Sequence, residues 1–165
     1  MSVILIGMPS CGKSTLGVLL AKKLGYRFID TDLLIQEREG ILLHEIIEKT
    51  GVEGFIKIEN DVICSVTDTG AVISTGGSAI YGREAMENLA KLGKIVYLKI
   101  SLGTMLSRLG DYTHRGVVIR NGGSLEDMYN EREALYESYA DTVISLENTD
   151  ISTALEQVTA SLSLK

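Results

Sequence analysis

The feature that most constrains this chain is an eight-residue glycine-rich motif near its start. Residues 7–14 read G-M-P-S-C-G-K-S, which matches the pattern G-x-x-x-x-G-K-[ST] in full. An apolar run precedes the motif and a stretch with helical spacing follows it. The glycines allow successive backbone N–H groups to point inward, and the helix start adds the positive end of its dipole. The motif therefore predicts a strand, a phosphate-binding loop and a helix, rather than a turn that merely links two elements.

Within this loop the residue types assign separate roles. Lys13 is expected to neutralise charge on the β and γ phosphates of ATP, and the Ser14 hydroxyl is expected to ligate Mg²⁺, which prefers hard oxygen ligands. Cys11 could act as a redox switch, but a neutral residue that supplies its backbone N–H is favoured. The predicted ATP contacts of the loop are Ser10, Cys11, Gly12, Lys13, Ser14 and Thr15.

Length and charge narrow the class of protein. The 165 residues fit a single domain with a sizeable core. The net charge of -6 argues against electrostatic binding of the nucleic-acid backbone. Two cysteines without metal-ligand spacing indicate a reduced, cytoplasmic setting. The apolar start is too short for a signal peptide or a membrane span, so no membrane association is expected. We expect a monomer.

Short apolar runs alternate with amphipathic stretches along the whole chain. This alternation predicts an α/β fold in which helices cover a parallel sheet. Strands are predicted at 2–6, 27–30, 71–75, 94–99 and 141–145. Helices are predicted at 13–24, 32–39, 42–49, 52–68, 83–92, 101–108, 125–139 and 151–162. Cys64, in the helix predicted at 52–68, is expected to lie in the core. The weakly patterned residues 110–123 hold four glycines and are predicted to form a lid over a ligand.

Two further segments supply chemistry at strand ends. The second strand ends in F-I-D-T-D, which places Asp30 and Asp32 where ligands gather in open α/β sheets. One carboxylate can order Mg²⁺ through water while the other orients an attacking hydroxyl, although Asp32 could instead cap the next helix. Gly76, Gly77 and Ser78 follow the third strand, where a substrate could lie against backbone N–H groups or the chain could simply turn.

Taken together, G-M-P-S-C-G-K-S-T, F-I-D-T-D-L-L-I, the Gly-Gly turn and E-R-E-A-L-Y resemble the shikimate kinase family over nearly the full length. The resemblance implies a P-loop fold with a five-stranded parallel sheet of order 2-3-1-4-5, a lid, and a substrate-binding helical region at about 32–60. It also implies that Asp30 holds the metal's water and that Asp32 contacts the acceptor hydroxyl.

Three arginines receive roles from the same resemblance. Arg108 would lie along adenine, Arg115 of the lid would reach the transferring phosphoryl group, and Arg132 would bind the acceptor's carboxylate. Gly76, Gly77 and Ser78 are also predicted to bind the substrate. Arg108 could instead be a solvated helix end, and Arg132 could pair with glutamates of its own helix.

The departures from the family pattern concern the acceptor. Family members usually carry F-R-x-x-E, whereas this chain reads Phe55-Ile56-Lys57-Ile58-Glu59, so Ile56 replaces an arginine that binds carboxylate. Lys57 points about 100° away from that direction on a helix. Loss of such a contact weakens binding by about one to two orders of magnitude. Ser78 stands in place of a third glycine and narrows the turn, and Gly116 stands in place of a proline and loosens the lid.

The leading prediction is an ATP- and Mg²⁺-dependent kinase that phosphorylates a hydroxyl of a small metabolite, shikimate or a close analogue. A kinase of another small polyol or sugar acid remains open, as does a nucleotide-binding regulator with little activity. A nucleoside monophosphate kinase is disfavoured because F-I-D-T-D and E-R-E-A-L-Y fit a shikimate-type pocket better.

Overall fold

The computed structural model describes residues 1–110 and 116–163. The prediction for Arg115, and with it the part of the lid at 111–115, lies outside the described residues. Within the described ranges, none of the helices is both long enough and apolar enough to cross a lipid bilayer.

Five parallel strands form one sheet. They are β1 (Ser2–Ile6), β2 (Arg27–Asp30), β3 (Ala71–Ser74), β4 (Gly93–Lys99) and β5 (Thr142–Ser145). Their order in the sheet is β2-β3-β1-β4-β5, which confirms the predicted fold. Because β3 lies between β1 and β2, the segments that follow these three strands meet at one edge of the sheet.

Seven α-helices are present in the described ranges: α1 (Lys13–Leu24), α2 (Thr31–Glu39), α3 (Leu43–Cys64), α4 (Arg83–Leu92), α5 (Leu102–Leu109), α6 (Leu125–Tyr139) and α7 (Ile151–Ser163). Short 3₁₀ turns occur at Ala79–Tyr81 and Arg120–Gly122.

The structure confirms the predicted break between helices 42–49 and 52–68 and corrects two other predictions for α3. Gly51, with φ 72° and ψ 173°, has a non-helical backbone between the two helical halves. The helix ends at Cys64, four residues before the predicted boundary. Cys64 is exposed rather than part of the core, because Val62 and Ile63 take the buried face of this turn.

A main core on both faces of the sheet is supplemented by a smaller apolar cluster beneath α2 and α3. The smaller cluster contains Ile35, Ile46, Phe55, Val62 and Val118. It joins both acceptor-side helices to the segment just after the undescribed residues. This cluster therefore fixes the position of α2 and α3 beside the end of the sheet.

Candidate functional site

The phosphate-binding loop leaves β1 through a glycine that no other residue can replace easily. Gly7 has φ 152°, and a Cβ there would lie 2.6 Å from the carbonyl oxygen of Leu98. At the other end of the loop, Gly12 with φ 102° is the residue before the first turn of α1. The loop therefore turns sharply into the N-terminus of a helix, where backbone N–H groups favour anions.

Lys13 lies under this loop. Its Nζ donates hydrogen bonds to the carbonyl oxygens of Gly7 and Met8, at 2.9 Å and 2.8 Å, and its exposed fraction is 8%. The Cys11 side chain is buried in the main core, with its Sγ 3.7 Å from Lys13 Nζ. The ammonium group is therefore held within the cradle formed by the loop.

Three side-chain oxygens meet at the carboxyl ends of β2 and β3. Ser14 Oγ donates to Asp30 Oδ2 at 2.6 Å and lies 3.2 Å from Ser74 Oγ. Asp30 Oδ1 also accepts a hydrogen bond from the backbone N–H of Asp32, so the residue that caps α2 is Asp30 and not Asp32. Ser74 was not predicted; its register position beside Asp30 in the sheet brings it here. Such a set of hard oxygens suits Mg²⁺.

The loop and the acceptor-side segments line one cavity of about 380 Å³. The predicted site residues in its lining are Ser10, Gly12, Lys13, Ser14, Thr15, Asp32, Gly76, Gly77, Ser78 and Arg132. Lining residues that the sequence did not indicate are Pro9, Leu43, Phe55, Thr75, Val117 and Val118. Gly116 also lines it. The structure thus brings the phosphate loop and the predicted acceptor residues together.

Asp32 is the carboxylate that lines this cavity. Burial and the negative charge of Asp30 raise its pKa to about 6, and the positive charge of Lys13 opposes that rise. At neutral pH the group is mostly ionised and more basic than an ordinary aspartate. A carboxylate of this kind can accept a hydrogen bond, or the proton, from a hydroxyl that enters the cavity.

Arg132 of α6 is almost fully buried, with 1% of its surface exposed. Its Nη2 donates to the carbonyl oxygen of Val118 at 2.5 Å, and its Nε donates to the Tyr81 hydroxyl at 3.3 Å. These contacts replace the alternative pairing with glutamates of α6. A Cβ on Gly77 would lie 2.7 Å from Nη1, so a glycine at this position makes room for the guanidinium.

Glu59 of α3 was not predicted as a site residue. It is 1% exposed, its Oε2 accepts a 2.5 Å hydrogen bond from Ser78 Oγ, and its Oε1 has no hydrogen-bond partner among the described residues. Burial and the charge of Asp32 raise its pKa to about 8. The helical spacing could have indicated that Glu59 is buried, because it occupies the same helix face as the buried Phe55 and Val62.

The departures at 56, 57 and 116 have clear structural outcomes. Ile56 packs half-buried against the smaller apolar cluster, and Lys57 is exposed. Neither side chain lines the cavity. Gly116 has φ 64°, and a Cβ there would lie 2.7 Å from Leu43 Cβ, so this backbone excludes the proline of the family pattern.

A second cavity of about 280 Å³ lies on the other side of the loop. Its lining comes from the loop and α1, the end of α5, the segment after β5 and the start of α7: Cys11, Gly12, Thr15, Leu16, Arg108, Leu146, Thr149, Ile151 and Ala154. Apolar surface beside one guanidinium suits a flat heteroaromatic ring.

A phosphate loop at the end of the central strand, an adjoining cavity that suits a heteroaromatic ring and a carboxylate in the lining of the main cavity define a P-loop kinase. The family described as shikimate kinase matches residues 9–163. Shikimate kinase of Francisella tularensis subsp. novicida is 34% identical over 165 residues, covering 98% of this chain and 94% of the relative. This chain belongs to the shikimate kinase family.

Solved structures agree with that assignment. Shikimate kinase from Aquifex aeolicus has a TM-score of 0.85 and 31% identity, and the match covers 98% of this chain and 96% of the other. Shikimate kinase from Acinetobacter baumannii in complex with shikimate has a TM-score of 0.80 and 29% identity, covering 99% and 95%. The protein is an ATP-dependent phosphotransferase with an alcohol acceptor.

Proposed function

We propose that this protein uses ATP and Mg²⁺ to phosphorylate a hydroxyl of shikimate or of a closely related hydroxylated acid. The observation that carries the proposal is that Lys13 of the phosphate loop and Asp32 of the first turn of α2 line the same cavity. Phosphoryl transfer depends mainly on positioning and on charge neutralisation, and this pair supplies both.

In this proposal ATP spans the two cavities. The adenine ring lies in the second cavity against Arg108, and the phosphates lie on the N–H groups of the loop. Lys13 Nζ exchanges its bonds to Gly7 and Met8 for phosphate oxygens. Ser14 and Asp30 would hold Mg²⁺, and the ion, when bound, would neutralise phosphate charge. Arg115, by resemblance to the family, reaches the transferring group.

The acceptor lies between Asp32 and Arg132. Asp32 orients the attacking hydroxyl and takes its proton, while Arg132 pairs with a carboxylate that the acceptor carries. Backbone groups of Gly76, Gly77 and Ser78 complete the wall of this acceptor site. Since Val117 and Val118 also line the cavity, they would cover the bound acceptor and exclude water.

A coupled ADP-release assay with ATP and Mg²⁺ tests the proposal. Shikimate should be turned over at an ordinary kinase rate, about 1–100 per second. Quinate, other cyclic polyols, AMP and CMP serve as competing acceptors. Turnover of another hydroxylated metabolite without turnover of shikimate would exclude shikimate and preserve the kinase. Absence of turnover with every acceptor, despite ATP binding by calorimetry, would instead support a nucleotide-binding regulator.

The Ile56→Arg variant should lower the KM for shikimate by about tenfold, because a charge-assisted contact is worth roughly 1.5–3 kcal/mol and the new side chain must leave the apolar cluster. The KM for ATP should not change. Lys57→Arg is the matched control, since Lys57 is exposed and outside the lining. An equal effect of both variants, or poorer shikimate binding by Ile56→Arg, would refute this placement of residue 56.

A further inference from the structure

Tyr81 lies in the short 3₁₀ turn that follows the glycine-rich turn of the acceptor site, and two arginines contact it. Arg132 donates from Nε to the Tyr81 hydroxyl at 3.3 Å, and its Cζ lies over the Tyr81 ring, 5.4 Å from the ring centroid. Arg120 Cζ lies over the same ring at 4.8 Å. Of the two arginines, only Arg132 is among the described residues that line the cavity. Tyr81 therefore contacts the acceptor-side cation from outside the lining.

The hydrogen-bond partners of Arg132 in the described part of the chain are neutral. Nη2 donates to the carbonyl oxygen of Val118 and Nε donates to the Tyr81 hydroxyl. Tyr136, whose hydroxyl donates to the carbonyl oxygen of Gly77, is a further uncharged neighbour. No ion pair between described residues includes Arg132. A buried cation that has neutral partners keeps its charge available for an anion that enters the cavity.

The same contacts decide which nitrogens of Arg132 an anion can reach. Because Nε is bonded to Tyr81, a carboxylate cannot pair side-on with Nε and one terminal nitrogen. Nη1 lies 2.7 Å from the position that a Cβ on Gly77 would take, and Gly77 lines the cavity. The end of the guanidinium, formed by Nη1 and the second hydrogen of Nη2, is therefore the part that remains for a carboxylate.

Arg120 fixes the ring of Tyr81 from the segment that follows the undescribed residues. Its ion pairs with Glu53 and Glu131 measure 3.5 Å and 3.4 Å, and these glutamate side chains are 75% and 43% exposed, so the pairs contribute little. Its Nε is buried and has no hydrogen-bond partner among the described residues. The ring of Tyr81 compensates this group, because the face of an aromatic ring attracts a cation.

We propose that Tyr81 is a positioning residue: its hydroxyl and ring hold Arg132 so that the terminal nitrogens meet the carboxylate of the acceptor, and Arg120 holds the ring. The inference rests on the proposed function of Arg132 as the group that binds this carboxylate. Since Ile56 does not line the cavity, Arg132 is the one arginine in its described lining, and its orientation governs carboxylate binding. Arginine is long and flexible, and a tyrosine orients it without neutralising its charge.

The kinetic test uses Tyr81→Phe, which removes the hydroxyl and keeps the ring. The KM for shikimate should rise about tenfold because Nε loses its acceptor, while kcat should stay within about threefold and the KM for ATP should not change. Tyr81→Leu, which also removes the ring, should raise the KM for shikimate about 30-fold or more, and Arg120→Gln should raise it about threefold. Tyr26→Phe, at an exposed tyrosine outside the cavity, is the matched control and should behave as the wild type.

An uncharged acceptor separates the orientation of Arg132 from a general structural defect. The methyl ester of shikimate keeps the hydroxyl groups and has no carboxylate, so the wild type and Tyr81→Phe should use it with kcat/KM values within about twofold of each other. In an Arg132→Lys background, Tyr81→Phe should change the KM for shikimate by less than about twofold, because the group that it orients is absent. Equal losses with shikimate and its methyl ester would overturn the inference.

A further readout does not depend on turnover. In protein with ¹⁵N-labelled arginine, the Nε–H signal that disappears in Arg132→Lys should exchange slowly with water, since this group is buried and hydrogen-bonded. Tyr81→Phe should speed that exchange by about tenfold or more. Arg27, with a side chain 77% exposed, gives the reference for an exposed arginine. If the wild type does not turn over shikimate, the proposed function fails while this exchange still reports on Tyr81 and Arg132. An unchanged exchange rate in Tyr81→Phe, or an unchanged KM for shikimate, would contradict the proposed role of Tyr81.

Discussion

The Asp32→Asn variant is expected to lose about two to four orders of magnitude in kcat, because an amide cannot take the proton of the acceptor hydroxyl. The Kd for ATP, measured by calorimetry with Mg²⁺, should change less than about threefold, since Asp32 lines the acceptor side and the phosphates bind to the loop. Asn fits the same volume, so a lower Tm should not accompany the loss.

The matched control is Asp61→Asn, an exposed aspartate of α3 away from the cavity, which should retain wild-type kcat. A loss of ATP affinity as large as the loss of kcat would show that Asp32 serves the nucleotide rather than the acceptor. Retention of kcat would remove Asp32 from the chemistry altogether and leave Lys13 as the main contributor.

The fold could be predicted because local patterns and tertiary structure agree in this chain. The apolar run of β1 and the glycine motif after it occur where the pattern places them. The exact ends of α3 could not be predicted, because its amphipathic pattern continues to residue 68 while the hydrogen bonds end at Ser65. At Gly51 the backbone leaves the helical conformation, as the break between the predicted helices indicated, and both halves pack on the smaller cluster.

The site residues could be predicted where a motif specifies the backbone conformation. They could not be predicted where contacts between distant parts of the sequence bring side chains together. The phosphate loop and Asp32 came from sequence motifs and Arg132 came from the family resemblance; Lys13, Asp32 and Arg132 all line the cavity. Ser74 contacts Ser14, 60 residues away, and Glu59 contacts Ser78, 19 residues away. No pattern of neighbouring residues in the sequence predicts these two contacts. The assignment of Asp30 rather than Asp32 as the cap of α2 depends on side-chain rotamers.

Glu59 also links the site to the stability of the fold. A buried acid whose pKa is raised in the folded state contributes stability that is fully present below its unfolded pKa, 4.5, and is lost as the pH rises through the folded pKa, about 8. Asp32 adds a loss in the same direction, but its window lies lower, between 3.8 and about 6. Above pH 6, therefore, the loss of stability from this pair of carboxyl groups comes from Glu59.

The Glu59→Gln variant should gain free energy of unfolding relative to the wild type as the pH rises. Between pH 5 and pH 9 the difference should grow by about 3 to 4 kcal/mol in favour of the variant, because the amide has no charge to desolvate. Urea unfolding of both proteins at several pH values, with ATP absent, gives this difference directly. Most of the growth should occur below pH 8, where the unfolded chain ionises Glu59 and the folded chain does not.

Glu48→Gln supplies the control for the loss of one negative charge, since Glu48 is exposed on the same helix and should leave the pH dependence unchanged. A constant difference between Glu59→Gln and the wild type from pH 5 to pH 9 would mean that Glu59 ionises at its ordinary pKa in the folded protein. It would then face Asp32 as a second negative charge, and the acceptor site would favour a cationic or hydrogen-bond-donating group at that point. A growing difference instead leaves Arg132 as the stronger electrostatic influence on the acceptor, which is the arrangement that a carboxylated substrate requires.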